Sequence, residues 1–254
     1  MTSQPQPETL RHYFRFLPAN DTEYLRQVQH LRYQVYCREF GFEREEDCPG
    51  QLEQDRYDTA AHHCLLQHRR TGGAAGCVRV VERGQRPGDR LPLEEFCSDS
   101  LTHPLLHPSR LPAHMVCEVS RLAVPEQFRR RAGERLSPFG KQEGLVRNEE
   151  EPRTYPMIGM AMFLAATALV GFSGRQHVFA MMEPKLARLL ARTGLRFTQV
   201  GEVMDYHGPR AAFYINHRDA ERNMQPPLRR LYLGIRQDLA VPAEFPAAAS
   251  GGSH

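Results

Sequence analysis

The apolar positions of this chain follow two periods, one typical of strands and one typical of helices. Residues 13–17 alternate as a half-buried strand does, and apolar residues then recur at helical spacing between residues 25 and 35. Asn20, Asp21 and Thr22 precede that repeat and are side chains that cap helix N-termini, while Gly41 is a plausible end. The start of the fold is therefore predicted to be a strand followed by a helix.

The next segments predict a β-hairpin and a long central strand. Residues 62–67 and 76–81 are strand-like, and Thr71-Gly72-Gly73 between them is typical of a hairpin turn. Residues 115–124 give the clearest strand. Two loops separate these strands from their neighbours: an acidic one at residues 43–58 and a Pro/Gly/Ser-rich one at residues 84–114, which has a short apolar insert at residues 93–96.

The second half alternates helices with strands. Pro184 suits the first turn of a helix, and Gly194 is suited to follow its end. The predicted elements are an apolar helix at residues 157–172, a strand at 177–182, a helix at 184–194, closing strands at 197–203 and 211–215, and a C-terminal helix at 226–239.

Strands followed by strand–helix alternation in one core predict an α/β fold, a three-layer α/β/α sandwich with a mixed sheet. We expect one domain at residues 10–239. Residues 1–9 and 240–254 are polar or rich in Ala, Pro, Gly and Ser, and we expect them to be disordered. Residues 126–155 are highly charged and are predicted to form an exposed excursion, with an insertion at about 129–154.

Composition narrows the class of protein. The net charge of +3 gives no support for nucleic-acid binding. The six cysteines include no CxxC pair, so no metal site is predicted, and a start without an apolar signal segment favours reduced thiols in the cytoplasm. Residues 157–174 carry no charge, but Gly and Ser interrupt them, so we expect a buried helix and no membrane span.

Charged side chains on apolar segments are the first candidates for chemistry. Arg32 lies beside an apolar helix face, either with its head in water or turned toward carboxylates. Glu53-x-Asp55-x-x-Asp58 is either a solvated acidic loop or a patch that holds an amine. Arg79 shares a strand face with apolar neighbours and needs a partner, which Asp55 or Asp58 can supply.

The central strand carries a second set of charges. Alternation places Glu118 and Arg121 on opposite faces unless a bulge intervenes. Two buried charges on a central strand are costly as pure structure, which favours a functional role. The run Arg129–Arg131 that follows is either solvated or a site for a phosphate or an acidic carrier protein.

The spacing of these residues resembles that of acyl-homoserine-lactone synthases and the related N-acyl amino acid synthases. The resemblance covers residues 14–125 and includes Phe42. It implies the GNAT acyltransferase fold with a mostly antiparallel sheet. The second half is similar to PEP-CTERM/exosortase system-associated acyltransferases. The motifs that carry this narrower likeness are Ser120-Arg-Leu-Ala-Val124, Arg129–Arg131, Met181-Met-Glu-Pro184, Leu186-Ala-Arg-Leu-Leu190 and Tyr206-His-Gly208.

Two departures from the family pattern bear on the substrates. Phe42 stands where homoserine-lactone synthases usually carry tryptophan, and this chain has no tryptophan. Gln127 is followed by arginines and a lone Gly133 in place of the glycine-rich loop that cradles the CoA pyrophosphate. These differences weaken S-adenosylmethionine as acceptor and acetyl-CoA as donor, and they favour a long-chain carrier-protein thioester.

The resemblance implies N-acyl transfer from acyl carrier protein or acyl-CoA to the amine of an amino acid or similar small acceptor, with no bound cofactor. Glu118 is the expected base, and Arg121 orders it or binds an acceptor carboxylate. The expected acceptor-binding residues are Arg32, Phe42, Glu53, Asp55, Asp58 and Arg79. The expected donor-binding residues are Ser120, Leu122, Val124, Arg129, Arg130 and Arg131. The alternatives are an acyl-homoserine-lactone synthase, an acetyl-CoA-dependent enzyme, and a non-enzymatic carrier-protein binding module.

Overall fold

The computed structural model describes residues 9–86, 88–129 and 154–240. Within them, strands form one mixed sheet. They are β1 (Phe14–Pro18), β2 (Ala61–His68), β3 (Ala74–Glu82), β4 (Val116–Ala123), β5 (His177–Met182), β6 (Thr198–Gln199), β7 (Met204–Asp205) and β8 (Pro209–Asn216). The order is β1-β2-β3-β4-β5-β8-β6, and β7 pairs with β8. Only β4 and β5 pair in parallel, so the sheet is mostly antiparallel, as predicted.

Helices cover both faces of this sheet. The α-helices are α1 (Leu10–Tyr13), α2 (Thr22–Arg32), α3 (Pro92–Phe96), α4 (Ile158–Ser173), α5 (Pro184–Ala191), α6 (His217–Asn223) and α7 (Pro226–Ala240). A π-helix, Tyr33–Glu39, continues α2. Short 3₁₀ helices lie at Glu45–Asp47, Pro49–Gln51, Asp58–Ala60, Ser98–Ser100, Pro108–Arg110, Ala113–Met115, Glu126–Phe128 and Tyr155–Met157.

The two faces bury different helices. On one face, which we call the acyl face, α4 and α7 pack with α1, α5 and α6 against inward residues of the strands, including Val78, Val80 and Cys117. On the other face, which we call the charged face, α2 packs Val28 and Leu31 around Cys77. This arrangement confirms the three-layer α/β/α prediction.

The long apolar helix is buried as expected. It runs as α4 from Ile158 to Ser173, one residue later than predicted, and ends at Gly174 in the left-handed region. Ten of its residues are buried, because small side chains let it lie close to the sheet. No helix within the described ranges has both the length and the apolar character to span a membrane.

Some sequence predictions were wrong in extent. The strand expected at residues 197–203 shrinks to the two-residue β6, because the chain presses against another loop at Gly201. A Cβ on Gly201 would lie 1.5 Å from the carbonyl oxygen of Ser100. The strand β7 and the helices α1 and α6 were not predicted, and α3 occupies the apolar insert of the loop at residues 84–114.

The expected exposed excursion at residues 126–155 is also corrected at both ends. Phe128 and Arg129 are buried before it, and Thr154 and Tyr155 are buried after it. The ring of Phe128 contacts that of Tyr155 edge-on, which joins the two ends in the core on the acyl face. Residues 130–153, and the termini at 1–8 and 241–254, lie outside the described residues.

Candidate active site

A gap opens in the middle of the sheet between β4 and β5. The two strands pair only where Val116–Glu118 lies beside His177–Phe179. Beyond that point, β4 continues to Ala123 and β5 to Met182 without pairing to each other. A cavity occupies this gap, and residues of both strands line it. A substrate in the gap can therefore reach peptide groups that strand pairing would otherwise occupy.

A bulge in β4 brings its two charged residues to the same face. The pairing of β3 with β4 shifts just before Arg79, which leaves two residues of β4 opposite Val78. The first of them is Arg121, whose φ is 51°. Strict alternation would place Arg121 opposite to Glu118, but the bulge turns it to the charged face, where it shares Asp55 as partner with Arg79.

Three arginines and three carboxylates of the charged face form a closed ring of ion pairs. Arg32 contacts Glu53 and lies 2.8 Å from Asp58. Arg79 joins Asp58 to Asp55, with both distances at 2.6 Å. Arg121 closes the ring through Asp55 at 3.3 Å and Glu53 at 3.1 Å, and it also lies 3.6 Å from Glu43. The ring is thus Arg32, Glu53, Arg121, Asp55, Arg79 and Asp58 in order.

Local backbone structure holds the carboxylates of this ring in place. The amide of Glu53 donates to the carbonyl of Gln29 on α2 at 3.1 Å, which fixes the acidic loop against that helix. The side chain of Asp55 accepts from the amide of Tyr57, and that of Asp58 accepts from the amide of Asp55. These two bonds close a turn over residues 55–58 and hold the carboxylates of Asp55 and Asp58 close together.

The arginines of the ring favour the ionised forms of Asp55 and Asp58. Burial alone would raise the pKa of Asp58, but the guanidinium groups of Arg32 and Arg79 lower it to about 2. The pKa of Asp55 is also lowered, with burial opposed by Arg79 and Arg121. Burial opposes ionisation of Arg32, yet Glu53 and Asp58 raise its pKa. The partner that the sequence analysis required for Arg79 is confirmed.

Glu118 stands apart from this ring, although it lies on the same face. Only 3% of the residue is exposed, and its carboxylate accepts one hydrogen bond from the amide of Leu93 at 2.8 Å. Burial raises its pKa to about 8, and the opposing effects of that bond, Arg79 and Arg121 are smaller. Such a pKa, near neutral pH and at a cavity wall, suits an acid–base group. Arg121 has carboxylate partners of its own and forms no ion pair with Glu118.

Aromatic side chains cover the charged-face mouth of the cavity. Phe42 lies at the cavity wall, with its ring 5.0 Å from that of Phe40 and 4.7 Å from that of His207. The carbonyl of Tyr36 accepts from the amides of Phe42 and Glu43, so the π-helix that contains Tyr36 aims both side chains at the cavity. π-Helical turns often occur at functional sites for this reason.

The acyl face of the gap is apolar. A second, smaller pocket lies there against α4, and it shares Val119, Phe163 and Ala180 with the main cavity. Its remaining walls come mainly from apolar residues of α4, β5 and β8 and from the segment before β6, with His217 at its edge. The pocket adjoins α4, the apolar helix that the sequence analysis predicted at residues 157–172.

The expected donor-binding residues of β4 differ in position. Leu122 lines the cavity, and its carbonyl accepts from the hydroxyl of Tyr36 at 3.0 Å. Ser120 also lines the cavity, and its hydroxyl accepts from Nε of Arg79 at 3.2 Å. Val124 is buried in the core on the acyl face and does not line the cavity.

The arginine run is corrected where the structure describes it. Arg129 is only 7% exposed, pairs with Glu39 and lies over the ring of Phe40 at 4.5 Å. It therefore does not form part of a solvated docking patch. Arg130 and Arg131 lie outside the described residues. Among the residues that the structure describes, no group of His, Cys, Asp and Glu has an arrangement that could hold a metal ion.

Sequence reasoning missed several residues of the cavity wall. Glu43, Tyr206, His207 and Arg210 line it, and the amide of Leu93 holds Glu118. The apolar insert that contains Leu93 was a usable signal, because a short apolar segment inside a polar loop must cover something. Tyr206 and His207 lie in the turn between β7 and β8, within a motif quoted only for its family likeness, and Arg210 lies near the start of β8.

Comparison with known proteins agrees with this geometry. Residues 31–137 match the family model described as acetyltransferase (GNAT) domain. No curated protein sequence gives a significant match. The chain thus has the GNAT-like fold of the acyltransferases to which it is similar.

Solved structures with the same fold share little sequence with this chain. The CoA-dependent acyl-homoserine lactone synthase BjaI, with SAM and isopentyl-CoA, is 16% identical with a TM-score of 0.55 over 87% of this chain and 89% of its own. FeeM, an N-acyl amino acid synthase from uncultured soil microbes, is 12% identical with a TM-score of 0.54 over 83% and 94%. The AHL synthase LasI is 18% identical, with a TM-score of 0.50 over 80% of this chain and 89% of its own.

Proposed function

We propose that this protein transfers a long-chain acyl group from a carrier thioester to the amine of an amino acid or a similar small acceptor. The observation that carries the proposal is the gap between β4 and β5, which joins two unlike spaces. Its charged face has Glu118 and the ion-pair ring, and its acyl face has an apolar pocket. An amine and a fatty acyl chain can approach the same point from opposite sides of the sheet.

The proposed reaction assigns one role to each group. The amine nitrogen attacks the thioester carbonyl carbon, the carbon–sulfur bond breaks, and the thiolate leaves. Glu118, in its ionised form, takes the proton that the amine loses and passes it to the thiolate, so that the products are the amide and the free thiol. Peptide N–H groups at the gap stabilise the charge that develops on the carbonyl oxygen. The ion-pair ring shapes the acceptor side, and Phe42 covers it.

The donor is proposed to be an acyl-carrier-protein or CoA thioester. The apolar pocket next to Phe163 favours an acyl chain longer than acetyl, because its mainly apolar walls can bind the additional hydrocarbon. One similar structure is described as CoA-dependent and contains isopentyl-CoA, which supports a thioester donor here without deciding its carrier. No bound cofactor enters this chemistry.

A second candidate is an acyl-homoserine-lactone synthase that uses S-adenosylmethionine. It is favoured by the fold shared with BjaI and LasI. The aromatic cover at Phe42 in place of tryptophan favours the N-acyl amino acid product instead. We also propose a link to the PEP-CTERM/exosortase system, and the sequence motifs alone support it. A cytoplasmic location fits the six cysteines, all of which are free thiols.

Mass spectrometry of lipid extracts tests the proposal. Cells that overexpress the wild type are compared with cells that express the Glu118→Gln variant. We expect a series of N-acyl amino acids that is absent with the variant. Acyl-homoserine lactones in its place would establish the second candidate. If no new acylated amine appears, both enzyme candidates are contradicted, and the remaining alternative is the non-enzymatic carrier-protein binding module.

A further inference from the structure

Arg210 is an arginine of the cavity wall that has no carboxylate partner among the residues the structure describes. Its Nε atom is buried, and its guanidinium takes part in none of the hydrogen bonds or ion pairs among the described residues. Its described neighbour is the ring of Phe42, 5.7 Å from the guanidinium carbon. A buried guanidinium donor without an acceptor is costly, and a bound anion would remove that cost.

The other arginine of the cavity wall cannot bind an anion as easily. Arg121 already contacts Glu43, Glu53 and Asp55. A substrate carboxylate placed there would compete with three protein carboxylates. Arg210 meets no such competition, although both arginines line the same cavity.

The strand register places Arg210 on the acceptor side of the gap. Ala211 of β8 pairs with Met182, at the end of β5 beside the opening. Ala211 belongs to the core of the acyl face, and Ala212 packs with Val81 on the other side. By alternation Arg210 lies on the same side as Ala212, which is the charged face and the side of Glu118.

We propose that Arg210 binds the carboxylate of an amino acid acceptor and so holds its amine at Glu118. This inference rests on the proposed function and refines its acceptor. An amino acid carries the two groups that this cavity wall complements: a carboxylate for Arg210, and an amine for Glu118. The planar guanidinium can give two parallel hydrogen bonds to a carboxylate.

The test compares acceptors that differ only in the carboxylate. Purified wild type, Arg210→Met and Arg210→Lys are assayed with an acyl thioester and three acceptors: an amino acid, its carboxamide and its decarboxylated amine. Arg218→Met serves as the matched control, because Arg218 is exposed on α6 outside the cavity. Circular dichroism and thermal unfolding confirm that each variant is folded.

We expect Arg210→Met to lower kcat/KM for the amino acid by about 10–100-fold, chiefly through KM, because a charge-assisted pair is lost. The carboxamide and the amine should change less than about threefold, and the lysine variant should restore part of the loss. The control should match wild type for all three acceptors.

Three results would overturn the inference. Equal losses for all acceptors would give Arg210 a structural role. A raised KM for the acyl thioester, with acceptor KM unchanged, would assign Arg210 to a donor phosphate. A wild type that prefers the amine to the amino acid would exclude carboxylate recognition while leaving N-acyl transfer intact. If wild type acylates no amine at all, the proposed function fails, and this inference fails with it.

Discussion

Asp58 and Glu118 lie on the same face of one sheet, and their environments shift their pKa values in opposite directions. Asp58 is held between Arg32 and Arg79, which lower its pKa to about 2 although burial alone would raise it. Glu118 has no ion-pair partner within the described part of the chain, and burial raises its pKa to about 8. Both side chains are almost fully buried, so it is the presence or absence of partners that distinguishes them.

This difference separates a structural carboxylate from a reactive one. A carboxylate locked in ion pairs cannot accept a proton near neutral pH without breaking them. A buried and unpaired one can, because its two protonation states have similar free energies there. We therefore propose that the ring provides a rigid frame and that Glu118, beside it, exchanges a proton with the substrate.

The largest expected effect is the loss of activity when Glu118 is replaced. Glu118→Gln should lower kcat by about 10²–10⁴-fold, since the amide cannot take a proton from the amine. The change should be measured as product formation by the purified protein under saturating substrates. Glu202→Gln is the matched control, because Glu202 is exposed and does not line the cavity. Activity of the Glu118 variant within a factor of two of wild type would remove its role as base.

Replacing an arginine of the ion-pair ring should reduce the stability of the protein. Arg32→Met should lower the free energy of unfolding by about 3–5 kcal/mol, because Glu53 and Asp58 then lose a buried partner. Urea denaturation measures this, and Arg26→Met on the exposed side of the same helix is the control. A loss no greater than that of the control would show that the ring contributes little to folding.

The contribution of Glu118 to stability should change with pH in the direction opposite to that of Asp58. The pKa of Glu118 is about 8 in the folded state against the ordinary value of 4.5, so the unfolded state releases its proton first. Stability is unaffected below pH 4.5, falls as pH rises toward 8, and stays low above it. Relative to Glu118→Gln, wild type should lose about 3 kcal/mol between pH 4.5 and 7. Parallel pH curves for the two proteins would contradict the raised pKa.

The smallest expected effect concerns the acyl face. Phe163 belongs to both the main cavity and the smaller pocket. Phe163→Trp should narrow the passage and lower kcat/KM for long acyl thioesters relative to short ones by about tenfold. Phe172→Ala, on the same helix but 46% exposed, is the control. An unchanged preference for chain length would place the acyl chain elsewhere.

The sequence could identify the ring but not its closure. Arg32, Asp55, Asp58 and Arg79 stand out because charge at apolar positions requires partners. The face of Arg121 depended on a bulge, which alternation cannot reveal, since the shift arises from one residue with φ of 51° and its fit to β3. The π-helix that aims Phe42 at the cavity was likewise hidden, because its residues have ordinary helical spacing.

Arg210 and Arg129 illustrate a second limit. An arginine's role depends on whether a carboxylate lies beside it, and distant segments decide that. Arg129 looks like part of a solvated run, yet it is buried against Glu39 of the π-helix. Arg210 looks like a lone charge at the start of a strand, yet the fold places it at the cavity without such a partner. The strand order was accessible from pattern, but these long-range pairings were not.

We propose that the gap brings an amine and an acyl thioester together, with Glu118 as the base. The most direct measurement incubates purified protein with a long-chain acyl thioester and an amino acid, and follows the N-acyl amino acid and the free thiol together across pH. We predict equal amounts of both products, with a rate that rises toward a plateau above about pH 8 as Glu118 ionises. Thiol release without acylated amine, or a rate that falls over this pH range, would contradict the account.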